Sequence, residues 1–430
     1  MFEIKTFLIA FLIVFAARSV CQTVMNRLNI IHLRRHGAEV PGVFKGFVDE
    51  EKLAKIAGYT ADCAGFGLVS NLFDQTLILA IILSGFLPWL TEKVSFWAAN
   101  PIGAGLVFFA LLSVLLNVPR IPFSLYDTFV IEARHGFNTR TLRTWFLDLV
   151  KGTLLSVMLG GIILCLLLIL INSLRHTWWL WAWLVLAVFE GIILWLYPVV
   201  IAPWFNTFEP IGDATLEHRI RHLLGKAGLC IKGVFQMDAG RRTRHTNAYF
   251  TGLGRTKRIV LFDTLLKSHP NEEILAILSH EAGHWKQGHL VKQLVLLAAV
   301  SLAGLFILAQ LLEWPLLYRA FGFHDPVAFV GLFLAGIVMS QVGYFCGPLA
   351  SAVSRRFERQ ADDAATQLSG STMPLRQALR KLALDNLTNL NPHPLYVWFH
   401  YSHPPIVERI ERLERMERDR KIHEEEPAII

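Results

Sequence analysis

Charge and cysteine are both scarce in this 430-residue chain. Asp, Glu, Lys and Arg make up only 17% of it. That is too little polar sequence to cover a soluble core of such size, so a purely water-soluble enzyme is excluded. The five cysteines (Cys21, Cys63, Cys165, Cys230 and Cys346) are dispersed and form no CxxC pair. A disulfide framework and a cysteine metal site are thereby disfavoured, and most of the cysteines read as small core residues. No internal repeat and no nucleic-acid-binding motif is present. The net charge of +7 therefore calls for no nucleic-acid partner. What the chain has in excess is apolar surface: 53% hydrophobic residues, 12 Trp, 30 Phe and a mean hydropathy of +0.44.

About 20 apolar residues cross a bilayer core as a helix. Seven runs qualify, at roughly 3–23, 67–90, 95–117, 152–174, 177–200, 290–313 and 326–350. Asp74, Gln75 and Gln341 interrupt the second and seventh. The first run continues into AARSVCQTVMNRLNI without a small-residue cleavage site, so it is expected to be retained as an anchor. Seven spans put the termini on opposite sides. The loops at 24–66, 118–151 and 201–289 and the tail from 351 carry most of the basic residues, whereas the other side has only Lys5, Lys93, Arg175 and Arg319. The positive-inside rule then places the long loops and the tail in the cytoplasm, against the lipid bilayer. The expected organisation is spans one to five with their loops in 1–200, a cytoplasmic insertion in 201–289, spans six and seven in 290–350, and a cytoplasmic tail in 351–430.

The insertion opens with a helix-like LEHRIRHLLGKAGL. VFQMDAG and TRHTNAYFTGLGRTKRIVLFD then read as short strands joined by glycine turns. Next comes NEEILAILSHEAGHWKQGH. Ser268 and Pro270 suit a helix start, Glu272 and Glu273 its positive end, and Ile274, Leu275, Ile277 and Leu278 an apolar face. His280 and His284, four apart, project from one helical face and can reach one metal ion. Glu281 falls beside them, where a carboxylate can take a proton from water on that ion. This helix is expected to run straight into the sixth span, with Lys292 at the boundary. Catalytic zinc usually takes three protein ligands and one open position. Glu358, in SRRFERQAD on a helix returning to the same side, is the candidate for the third. Spacing alone leaves it open to a surface pair with Arg355 or Arg359. Asp362, one turn on, suits an acceptor for a ligand histidine and is the next candidate ligand. Arg34, Arg35 and His36 read as a membrane-surface anchor, and Asp127, Glu132 and His135 as structural polar contacts. The last residues, IHEEEPAII, are expected to be disordered.

The blocks RHGAEVPGVFKG, FVIEARHGFN, IAPWFNTF, HTNAYFTG, KRIVLFDTLL, HEAGHWKQGH, SRRFERQAD and HYSHPPIVERI together make the chain resemble the Ste24-type CAAX prenyl proteases. These are integral-membrane zinc metalloproteases of the M48 family. The blocks run from about 30 to 415, with HTNAYF carrying threonine where many relatives have serine. The resemblance implies an all-α membrane fold, in which about seven long helices enclose a large water-filled chamber. A cytoplasmic HExxH domain with a small β-sheet caps it. It implies one Zn2+ per chain on His280, His284 and Glu358, with Glu281 as base. His403 would stabilise the scissile carbonyl, Arg409 would hold the ligand glutamate, and Asn247, Ala248 and Tyr249 would pair with substrate backbone. The implied substrates are peptides or proteins, including prenylated CAAX C-termini that lose three residues, or membrane proteins more generally. The implied membrane is the bacterial inner membrane or the endoplasmic reticulum. A transporter or scaffold with an incidental HExxH is the rival reading.

Overall fold

The computed structural model describes residues 2–98, 100–252 and 257–425. Among them, six helices are long and apolar enough to cross a membrane: Phe2–His36, Glu50–Leu83, Pro101–Arg134, Leu142–Ser173, Trp178–Phe205 and His289–Leu312. A bent pair, Ala328–Tyr344 and Gly347–Ser369, meets at 57° and makes a seventh crossing if the two helices form one span. The expected second and third spans need correction. Ser84 and Gly85, the latter at φ +79°, end the Glu50 helix, so 86–90 do not continue it. Phe86–Trp97 is a separate 12-residue helix, held in the core by Leu87, Leu90 and Val94. The next span starts at Pro101, where the Asn100 side chain accepts the Gly103 N–H at 2.8 Å. Both breaks sit where local chemistry outweighs hydropathy: a left-handed glycine, and an N-cap followed by proline.

Two of the polar residues that interrupt the spans, Asp74 and Gln341, have charged partners on other helices. Asp74 takes a two-pronged pair from Arg120, and the Arg18 guanidinium donates to Gln341 at 3.0 Å. An ionisable group at membrane depth is costly unless paired or wetted, and such pairing ties one helix to another.

Outside the membrane lies a four-stranded sheet in the order β1-β2-β4-β3. Its strands are β1 (Phe208–Pro210), β2 (Gly233–Met237), β3 (Ala248–Thr251) and β4 (Arg258–Phe262). β2 and β4 run parallel and the other pairs antiparallel. β1 had no signal in the sequence, being three residues ending in proline. The glycine turn expected before β4 falls at 253–256, outside the described residues. Ile259 and Leu261 of β4 are buried against Leu216, Ile220 and Leu224 of the Ala214–Lys226 helix and against Ile274 and Leu278 of the Asn271–Lys286 helix.

That last helix carries the HEAGH stretch. Pro270 precedes its first turn as expected, but Ser268 closes the preceding helix, Asp263–Ser268, and bonds to His269 instead. Nor does the helix run into the sixth span. It ends at Lys286; Gly288 takes φ +65°, and a new helix begins at His289. Glycine reverses the chain there at little steric cost. Against the HEAGH helix packs Gly347–Ser369. A Cβ on Gly283 would lie 2.8 Å from the Ala361 carbonyl oxygen and 3.0 Å from the Ala364 Cβ. The absent side chain thus lets the two helices close on each other. Of the terminal stretch expected to be disordered, residues to Glu425 continue the final helix, and 426–430 lie outside the described residues.

Candidate metal centre

Ile274, Ile277 and Leu278 bury one face of the HEAGH helix, and the turn after them carries His280 and His284 side by side. Their rings stand 4.9 Å apart at 79°, with the Nε2 atoms 3.3 Å from each other. Glu358, on the helix brought close by Gly283, faces both. Its Oε2 lies 3.3 Å from His280 Nε2 and its Oε1 lies 3.3 Å from His284 Nε2. The three groups form the one cluster of metal-ligand type found among the described residues. Atoms held at 2.0–2.1 Å around a tetrahedral ion stand about 3.4 Å apart, close to the spacing here. In addition, Glu358 Oε2 is buried without a hydrogen-bond donor. Two imidazole lone pairs and a carboxylate aimed at one point suit a divalent cation of nitrogen and oxygen preference.

Glu281 adjoins the cluster. Burial pushes its carboxyl up, against the pull of His280 and His284. A carboxylate moved in that direction is a stronger base near neutral pH. Burial and the Arg409 charge lower the His280 imidazole, but Asp362 and Glu358 outweigh them and push it up to about 9. The pocket therefore draws positive charge, and a proton and a metal compete for it.

Asp362 Oδ1 accepts the His280 Nδ1–H at 2.8 Å. Arg409 differs from the expectation. Its fork donates to Asp362, from Nε to Oδ2 at 3.0 Å and from Nη2 to Oδ1 at 2.6 Å. Its nearest approach to Glu358 is 3.9 Å. The arginine thus holds the carboxylate that orients His280, and does not grip the candidate ligand glutamate itself. The reason is geometric: Asp362 and Arg409 are both buried and meet through two contacts as a two-pronged pair, while Glu358 is turned toward the histidines. The surface pairs weighed for Glu358 also do not form. Arg355 donates to the Tyr401 carbonyl at 2.6 Å, and Arg359 donates to Glu408 at 3.1 Å. Arg355 thereby closes the end of the Pro394–His400 helix and holds the loop bearing His403. His403 Nε2 lies 3.3 Å from Glu358 Oε1, on the open side of the cluster, its side chain 61% exposed.

β3 is an edge strand, so the side of its backbone away from β4 is free to pair with an extended chain. Ala248 and Tyr249 lie in it, and Asn247 just precedes it, with its carbonyl accepting from Phe262 N–H at 3.1 Å. The stretch before β3 is fastened to the membrane half. Glu132 accepts from Tyr59 Oη at 2.6 Å and faces His245 Nε2 at 3.2 Å. His135 bonds to Asp62 at 2.8 Å, and Arg242 pairs with Asp148 through two contacts of 2.9 Å. Asp127, expected to make a polar contact, shows no such tie among the described residues. Two residues near the cluster, His289 and Gln360, had no assignment from sequence: a histidine five places after His284 falls outside helical register.

Comparison with known proteins agrees along the whole length. Residues 29–207 match a family model described as CAAX prenyl protease N-terminal, five membrane helices. Residues 210–417 match the model for peptidase family M48. The CAAX prenyl protease 1 homolog of Arabidopsis thaliana is 35% identical over 382 residues, covering 86% of this chain and 89% of that one. CAAX prenyl protease 1 of Saccharomyces cerevisiae is 31% identical, covering 86% and 88%. The crystal structure of S. mikatae Ste24p superposes with a TM-score of 0.87 at 28% identity, over 94% of this chain and 99% of that one. The enclosed chamber implied by the resemblance is consistent with that likeness. A multi-span helical membrane part, a small mixed sheet and a His–His–Glu cluster in a matching M48 segment lead to one conclusion: the chain belongs to peptidase family M48 and is a membrane metalloendopeptidase of the Ste24 type.

Proposed function

We propose that this chain is a zinc endopeptidase that cuts close to the membrane surface, on the cytoplasmic side, and removes the last three residues of prenylated CAAX C-termini. The observation that carries the reading is the 3.3 Å spacing of His280, His284 and Glu358 beside Glu281. The substrate class comes from the relatives, two of which bear the name CAAX prenyl protease 1. Zinc held by these three side chains would supply Lewis acidity to the scissile carbonyl and to the attacking water. The protein does the rest. The β3 edge, with Asn247, Ala248 and Tyr249, aligns the substrate backbone as an added strand. Glu281 takes the proton of the attacking water and returns it to the leaving amine. His403, on the exposed side of the cluster, donates a hydrogen bond to the carbonyl oxygen as its charge grows. Asp362, gripped by Arg409, keeps His280 in the tautomer whose Nε2 lone pair faces the cluster.

The direct test is incubation of the purified full-length protein with a farnesylated CAAX peptide and its unprenylated twin. Mass spectrometry should show loss of the terminal tripeptide from the prenylated peptide, faster than from the control. Equal cleavage of both would replace the substrate class with general membrane-associated proteolysis. For His403→Ala, turnover should fall about 100- to 1000-fold, the usual effect of removing one oxyanion donor, with zinc content and KM little changed. Full turnover in that variant would remove His403 from the reaction. The orientation rests on the basic loops. A reporter fused after Arg420 should be cytoplasmic and an N-terminal tag should face outward; both on one side would mean that the bent pair does not cross.

A further inference from the structure

The two histidines of the cluster are oriented by different means. His280 donates its Nδ1–H to a carboxylate, Asp362. His284 has no carboxylate behind it. Its Nδ1 lies 3.0 Å from Nδ1 of His289, and His289 Nε2 lies 2.9 Å from Gln360 Oε1. In an unbroken helix, residues five apart point about 140° away from each other. The contact exists because Gly288 breaks the helix at φ +65° and turns the chain, so that His289 starts a new one. His289 is 1% exposed and stacks on Phe357, with centroids 4.3 Å apart and planes at 14°. Packing therefore fixes the ring.

We infer that His289 and Gln360 form a positioning relay that sets the tautomer of His284. The Gln360 oxygen can only accept, so His289 carries its proton on Nε2. The Nδ1 of neutral His289 is then a lone pair, which accepts the Nδ1–H of His284. That leaves the Nε2 of His284 unprotonated, facing Glu358 Oε1 at 3.3 Å. A neutral imidazole thus does for His284 what Asp362 does for His280, and both ligand nitrogens are presented to the metal as lone pairs. Orienting partners of this kind typically carry 10- to 100-fold in metal affinity.

The inference rests on the proposed metal role of His280, His284 and Glu358, and the experiment separates the two. Full-length wild type, His289→Asn, His289→Phe, Gln360→Glu and Gln360→Leu are loaded with zinc. They are dialysed against graded chelator, and bound zinc is measured by mass spectrometry, with a melting curve for each. Asn places an oxygen where His289 Nδ1 stands but loses the stack. Phe keeps the stack and loses the acceptor. The relay predicts that His289→Phe releases zinc at about 10- to 100-fold lower free chelator than wild type, while His289→Asn lies closer to wild type. A purely packing role predicts the reverse order. Gln360→Leu, which leaves the His289 proton without its acceptor, should also weaken retention, and Gln360→Glu should keep it. If His289→Phe does not fold, the Gln360 pair decides alone. Zinc retention in His289→Phe or in Gln360→Leu equal to wild type overturns the relay. Absence of zinc from loaded wild type overturns the metal assignment itself, and the relay with it.

Discussion

Glu281→Gln is expected to keep one zinc per chain and to lose hydrolysis by about 100- to 10,000-fold, the range that a positioned general base contributes. The substitution is nearly isosteric. It leaves His280, His284 and Glu358 and their 3.3 Å contacts in place, so the metal site has no reason to open. What disappears is the basic oxygen: an amide at the same position cannot take a proton from water. Burial raises the Glu281 carboxyl, which makes the native group a stronger acceptor than an exposed glutamate and the loss correspondingly larger. Zinc by mass spectrometry and turnover on one peptide decide it. A Gln variant with more than a tenth of wild-type turnover would mean that another group accepts the proton.

Glu358→Ala should lose the metal as well as the activity. A ligand is expected to matter more than an orienting partner, so retention should fall by more than the 10- to 100-fold typical of the latter. The loss also has a thermal reading. Metal that binds only the folded state stabilises it in proportion to the logarithm of its concentration over Kd. Wild type should therefore melt higher with added zinc, and Glu358→Ala should not respond. Asp362 is a poor substitute as ligand. Its Oδ1 accepts from His280 and Arg409 and its Oδ2 accepts from Arg409, so turning it toward the cluster would abandon a buried guanidinium. Undiminished zinc binding in Glu358→Ala would nonetheless force that reassignment.

Much of the architecture follows from local pattern. Long apolar runs with few charges require helices in lipid, since no other element satisfies its own backbone there; all seven runs lie in crossing helices or the bent pair, apart from the ends redrawn at Gly85 and Asn100. The spacing of four between His280 and His284 puts them on one face whatever surrounds the helix. The alternating and branched residues of RIVLF favour a strand. These are matters of a few consecutive residues, where period and chemistry act directly.

Tertiary structure decided what lies across distances in sequence. Nothing near Arg409 distinguishes Glu358 from Asp362 as its partner, because the two carboxylates sit one turn apart on the same helix; only the packing of the final helix against theirs, tied also by Arg412 to Asp363, chooses Asp362. The break at Gly288 was hidden for a related reason. No proline separates HEAGHWKQGH from the sixth span, and a glycine in such a stretch is compatible with either a helix or a turn. Packing selects the turn, and the turn brings His289 back onto His284. A contact between residues five apart then depends on a single left-handed backbone conformation, and helical periodicity has no means of expressing it.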